Sequence, residues 1–240
     1  MEKIIFTLLV LLFSSQISLA NEETLILFDS SVSMGENINS YPKYMVAVNE
    51  AKNVLEKLPP ASFVGLRIIG IIPDEDALSY LISPELLCKA TKLTVPIASN
   101  NSENIKNSLN SLMPLGTTPL VYSLDKAVKY DFSPNASIKH IILITDGIDE
   151  CNGNICEYAK ELQRYSKNVK IDIIAIGVDN QELNHLNCLS SSTSGKVINT
   201  KTPDEIKKAF IEFLTPRNYS PQKIKTNDIE YKNILIEFYQ

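Results

Sequence analysis

Residues 25–36 read LILFDSSVSMGE. An apolar run goes straight into an acid, Asp29, and serines follow at 30, 31 and 33. A run of large apolar residues this dense is a strand covered on both faces. The carboxylate therefore stands where a buried strand stops. Helix capping accounts for any one acid or hydroxyl at such a place, but a cluster of them asks for more. The same pattern recurs along the chain. IILIT (141–145) ends at Asp146 and IDIIAIGV (171–178) at Asp179, while VGLRIIGII (64–72) is a further β-branched run. Between these lie helical patterns. KYMVAVNEAKNVLEKL (43–58) predicts one apolar face of Met45, Val48, Ala51, Val54, Leu55 and Leu58. TPDEIKKAFIEFL (202–214) opens with Thr202, Pro203 and Glu205 as a capping box and buries Ile206, Phe210, Phe213 and Leu214. Strands alternating with helices predict an α/β fold with a mostly parallel, doubly wound sheet, whose ligands gather at the carboxyl ends of the strands.

Composition narrows the functional classes. The 240 residues are 44% hydrophobic and 21% charged, the balance of a globular domain. A formal net charge of -5, with no Lys/Arg block, argues against nucleic acid as a partner. The start, MEKIIFTLLVLLFSSQISLA, has a charged end, an apolar core at residues 4–13 and Ser18-Leu19-Ala20 as a cleavage pattern. Residues 1–20 therefore read as a signal peptide, with an apolar core about half as long as a membrane-spanning helix needs. The expected mature protein is exported, periplasmic or secreted, with no membrane contact beyond a peripheral one. In that compartment Cys88, Cys151, Cys156 and Cys188 are able to pair.

Asp29, Ser31 and Ser33 form Asp-x-Ser-x-Ser, which resembles the metal-ion-dependent adhesion site of von Willebrand factor type A domains. MPLGTTPLVYSLDKAV (113–128) is similar to the family segment that supplies a threonine ahead of a proline, here Thr118. IILITDGIDEC (141–151) resembles the strand that ends in the second aspartate of that site, here Asp146. The likeness extends over about residues 22–215, and exported bacterial members also share the VGLR strand, a cysteine before the following strand and paired cysteines after TDG. It implies six strands, one of them antiparallel at an edge, with helices on both faces. It also implies a divalent cation held by Asp29, Ser31, Ser33, Thr118 and Asp146, with magnesium first and manganese or calcium as alternatives.

The residue types suit that chemistry. Hard divalent cations take oxygen ligands and keep some water. Hydroxyls supply neutral oxygens, so two carboxylates leave the ion electrophilic enough to accept an Asp or Glu carboxylate from a protein partner. Asp149 and Glu150 lie just beyond Asp146, and Asp74, Glu75 and Asp76 follow the second long strand. These are either solvated loop acids or, for Asp149 and Glu150, a second cation site on the same rim. The family's strand order sets Cys88 and Cys188 on the order of 15–20 Å apart, too far for a bond. On that resemblance Cys151 with Cys156 is disfavoured, and of the schemes that remain the preferred pairs are Cys88 with Cys151 and Cys156 with Cys188; a zinc site is the other use of four cysteines.

Catalysis is not expected. His140 starts the strand that ends at Asp146, roughly 20 Å from the ligand edge, and His185 has no evident orienting partner. No nucleophile elbow, dinucleotide loop or Walker loop occurs in the sequence, so a nucleotide is not expected either. Residues 216–240 read as a polar tail, either disordered or carrying a short strand at ILIEFYQ. The functional expectation is an exported, metal-dependent protein-binding module. A subunit of a periplasmic or envelope assembly, with a structural metal, is the other reading.

Overall fold

A computed structural model describes residues 22–71, 78–79 and 83–214. The signal-peptide residues, Asp74, Glu75 and Asp76, and the tail from 216 onward lie outside the described residues.

Six strands form the sheet: β1 (Glu22–Asp29), β4 (Phe63–Ile69), β5 (Thr91–Ala98), β6 (Ile138–Thr145), β7 (Val169–Ile176) and β8 (Val197–Thr200). Their order is β5-β4-β1-β6-β7-β8. All pair in parallel except β5, which runs antiparallel to β4 at one edge. This is the expected doubly wound architecture with its antiparallel edge strand. A small ribbon of β2 (Asn37–Ile38) and β3 (Tyr41–Pro42) leads into helix α1 (Lys43–Leu55). The remaining helices are a single turn α2 (Pro84–Leu87), then α3 (Ser102–Asn110), α4 (Leu120–Tyr130), α5 (Ile155–Tyr165), α6 (Asn180–Ser192) and α7 (Pro203–Leu214).

The continuous apolar runs follow from this layering. Side chains alternate across a strand. Ile26, Phe28, Ile142, Ile144, Ile174 and Ile176 therefore face one core with α1, α3 and α7. Leu25, Leu27, Ile141, Leu143, Ile171 and Ile173 face the other with α4, α5 and α6. Asp29 and Asp146 are carried to the same edge because both cores stop there.

The helix faces match the sequence pattern with one correction. Met45 is 41% exposed, and α1 buries Val46, Ala47, Val48, Ala51, Val54 and Leu55 instead. Ala47 and Ala51 are fully buried at the middle of this stripe, which faces away from Met45. Thr202 and Glu205 cap α7 reciprocally, as the capping-box pattern requires. Arg67, the charge inside β4, is buried and paired through Nε and Nη2 with both oxygens of Asp131, at 2.6 and 2.7 Å. Such bidentate pairing is what lets an arginine sit in an apolar run.

His140 lies at the opposite edge, buried, with Nε2 at 2.9 Å from Asp172 Oδ2. Lys170 also bonds Asp172, and the Lys196 amide donates to its other oxygen at 2.8 Å. Burial pushes the Asp172 carboxyl up, but His140 and Lys170 outweigh it and hold the group at about 2. The unfolded chain binds the proton more readily, so this stabilisation is complete above about pH 4 and is lost as pH falls toward 2. It is on the order of 2 kcal/mol. In urea unfolding at stepped pH, Asp172→Asn is expected to lower stability at pH 7 and flatten its decline between pH 4 and 2; an unchanged slope would count against this account.

Candidate metal centre

The ligand edge is assembled by backbone contacts between distant loops. Ser30 N and Oγ both donate to the Ile69 carbonyl, at 3.0 and 2.7 Å, fixing the segment after β1 to the end of β4. The loop ahead of α4 then joins this segment. Leu115 N donates to Ser30 O at 3.1 Å, Val32 N donates to Gly116 O at 2.9 Å, and Ser31 forms a parallel bridge with Gly116. Two glycines make this approach possible. Gly70 has φ +74, and a Cβ there would lie 2.7 Å from Thr117 O; a Cβ on Gly116 would lie 2.1 Å from Gly70 O. The seam that brings Thr118 beside the serines is backbone against backbone.

Within this frame the carboxylates and hydroxyls form one chain of contacts. Asp29 is fully buried; Oδ1 accepts from Ser31 N at 2.9 Å and Oδ2 from the Thr145 hydroxyl at 2.7 Å. Ser31 Oγ and Ser33 Oγ are 3.0 Å apart. Ser33 Oγ donates to Asp146 Oδ1 at 2.8 Å. Lys43 Nζ donates to the other Asp146 oxygen at 2.8 Å and to Glu36 Oε2 at 2.9 Å. Thr118 is buried at the same rim. Thus Asp29, Ser31, Ser33 and Asp146 lie in one contact chain, and Thr118 is held next to it through Gly116.

Electrostatics show what the arrangement lacks. Burial pushes the Asp29 carboxyl up to about 6 against the Thr145 and Ser31 hydrogen bonds, and the nearby Asp146 charge adds to the rise. Burial lowers the Lys43 ammonium, but its bonds to Asp146 and Glu36 reverse this and raise it. Among the described residues Lys43 is the ammonium at this pair of carboxylates, and of the two it bonds Asp146 and not Asp29. A hard cation taking mixed carboxylate and hydroxyl oxygens fits this donor set. Groups of three or more His, Cys, Asp or Glu placed to hold a metal are absent among the described residues, so the hydroxyls would have to supply the remaining oxygens.

Three acids at this rim have structural work. Asp149 accepts from the backbone N–H of Val121, Cys151 and Gly153, at 2.8, 2.8 and 2.6 Å. Glu150 Oε2 accepts from Thr118 N at 2.9 Å, and Glu150 N donates to Thr118 O at 3.1 Å. Both carboxylates thereby fasten the Thr118 loop. Asp179, the third acid at a strand end, caps α6 with Glu182 in a capping box. Disulfides Cys88–Cys151 and Cys156–Cys188, each with Cα atoms 5.5 Å apart, tie down both ends of the loop that follows Asp146. These are the pairs preferred from the sequence.

Two participants escaped the sequence reading. Thr145 is the last residue of an apolar strand, and a β-branched threonine there reads as an ordinary strand former. Lys43 did leave a signal. It is the first residue of α1, where the helix dipole disfavours a cation, so another partner had to hold it there.

A doubly wound sheet with hydroxyls and carboxylates gathered at the carboxyl ends of its strands has the form of an α/β domain whose ligand site lies at that edge. The model of the von Willebrand factor type A domain matches residues 87–212, more than half of the chain, and the protein belongs to that family. The matched segment contains Thr118 and Asp146; Asp29, Ser31 and Ser33 precede it. The chain is 27% identical over 188 residues to the uncharacterized protein YwmC of Bacillus subtilis (strain 168), covering 78% of this chain and 80% of that one. Among solved structures, a von Willebrand factor type A protein from Catenulispora acidiphila superposes with TM-score 0.63 at 23% identity. That match covers 81% of this chain but only 42% of that one. Proximal thread matrix protein 1 from the mussel byssus, with zinc in its MIDAS motif, gives TM-score 0.58 at 18% identity over 81% of this chain and 45% of its own. At these identities the solved structures establish the fold.

Proposed function

We propose that the protein is an exported module that binds another protein through a divalent cation held by Asp29, Ser31, Ser33, Thr118 and Asp146. The convergence of Asp29, Ser31, Ser33 and Asp146 in one chain of contacts at the ligand edge carries this reading. When bound, the ion supplies an open electrophilic position for an Asp or Glu carboxylate of the partner. The chain's own residues do the rest: Asp29 and Asp146 supply charge, the hydroxyls supply neutral oxygens, and Glu150 and Asp149 hold the Thr118 loop in place. The zinc-occupied motif of the byssus protein supports an ion in this family, and magnesium is the ion that these oxygens suit best.

The surroundings also suit a protein partner. Val32 and Leu115, joined through the Ser30–Ser31 and Gly116 contacts, are 64% and 59% exposed beside the ligand set. Large exposed apolar side chains grouped on a surface are a mark of an interaction site. The two disulfides and the signal-like start support export. Helices long and apolar enough to cross a membrane are absent among the described residues.

Capture from envelope extract by the immobilised chain tests the proposal. Partners are expected with millimolar magnesium, lost with EDTA and lost with Ser31→Ala. The same partners in all three conditions would instead favour a permanent assembly with a structural metal.

A further inference from the structure

The least expected group at the site is Lys43. Its ammonium lies 2.8 Å from Asp146 Oδ2, its side chain is 13% exposed and the Asp146 side chain only 1%. It has no use at the start of α1, whose dipole opposes it. Its second partner, Glu36, is 70% exposed at the side chain and lies 2.9 Å away on the outer side. Asp146 in turn passes the contact through Ser33 to Ser31. One end of the ligand set is therefore already neutralised by a cation belonging to the chain itself.

We propose that Lys43 is a tethered competitor for the metal, with Glu36 as the position to which it withdraws. This rests on the metal-binding reading above and adds a threshold to it. Ion-free, Lys43 offsets the Asp146 charge and keeps the rim ordered. Ion binding requires Lys43 to share or surrender Asp146, and two positive charges at one carboxylate repel. Glu36 lowers the cost of that withdrawal by keeping a carboxylate on the ammonium throughout. The consequence is a weakened site that fills only where free divalent ion is plentiful, so partner binding becomes conditional on the ionic surroundings.

Titration of the purified full chain with manganese, followed by the electron paramagnetic resonance of the free ion and by calorimetry with magnesium, tests this. Lys43→Met is expected to tighten binding by about tenfold, the scale of one unit charge near a partly exposed divalent ion. Lys43→Arg, which keeps the charge, is expected to bind as wild type, and Glu36→Gln to bind a few-fold more weakly. Circular dichroism confirms folding, and ion-free Lys43→Met should melt lower while gaining more on adding ion. Equal or weaker binding by a folded Lys43→Met overturns the competitor role, as does tightening by Lys43→Arg. If the wild type itself binds neither ion, the metal-binding reading falls and the competitor role with it. Binding that survives Asp29→Asn places the ion elsewhere and also overturns it.

Discussion

Asp29→Asn is expected to abolish the thermal stabilisation that millimolar magnesium gives the wild-type protein, without lowering the melting temperature of the ion-free chain. Asparagine has the shape of aspartate and its amide oxygen accepts from Ser31 N as Asp29 does, so the turn after β1 survives. The charge does not. Changing a residue that merely orients a ligand costs about tenfold to a hundredfold in metal affinity, and removing one of two ligand carboxylates should exceed that.

The ion-free comparison follows from the sign of the Asp29 shift. A carboxyl raised to about 6 by burial binds its proton more tightly folded than unfolded. Its ionisation therefore costs stability as pH rises from about 4 to 6, by up to roughly 3 kcal/mol at neutral pH. Asp29→Asn removes that cost, partly offset by a poorer bond to the Thr145 hydroxyl. Melting curves at pH 7.5 with magnesium and with EDTA separate the two effects. An ion-dependent shift that persists in the variant would sink the assignment of Asp29.

Breaking the Cys88–Cys151 disulfide should produce the largest loss of stability together with a loss of ion affinity. The bond closes a loop with sequence separation 63. The chain-entropy relation gives about 4 kcal/mol for such a loop, equivalent to a fall of roughly 8–16 °C in melting temperature for a domain of this size. Its position adds a specific effect. Cys151 N bonds Asp149, whose other oxygen holds Val121, and Glu150 beside it holds Thr118. Slack at Cys151 reaches the ligand loop through these bonds.

Cys156–Cys188 provides the control. With sequence separation 32 it is worth nearly as much by the same relation, but its cysteines lie within α5 and α6, beyond the Asp149 and Glu150 contacts that hold the Thr118 loop. Serine pairs at each bridge should therefore melt similarly low, while only the Cys88/Cys151 pair weakens manganese binding. Equal ion affinities in the two pairs would separate the bridge from the site.

Much of this architecture was legible in the sequence because burial on two faces leaves an unmistakable trace. LILF and IILI have no polar interruption and IDIIAIGV has only Asp172, and each run ends where both cores end. The phase of a helix is less legible: Met45 looked buried by spacing, but the buried stripe has Ala47 and Ala51 at its middle and faces away from Met45. Acids at strand ends were ambiguous for a physical reason. Asp29, Asp146 and Asp179 share the same local pattern, yet Asp179 caps its own helix while the other two meet across the rim. Long-range pairing separates them, and no local window contains it. Asp149 and Glu150 illustrate the same point: Asp149 has local partners in Cys151 and Gly153, but its bond to Val121 and the Glu150 bond to Thr118 span separations of 28 and 32.

The apposed glycines at 70 and 116 give the rim a property that its ligands alone do not confer. Neither residue offers an oxygen side chain, yet a methyl group at either position would meet backbone. A serine exchanged for a threonine at the rim keeps its hydroxyl oxygen. The seam has no such freedom, because a side chain at either glycine meets the backbone of the facing loop. The spacing of the rim is thus set as much by two side-chain-free positions as by the residues proposed to hold the ion.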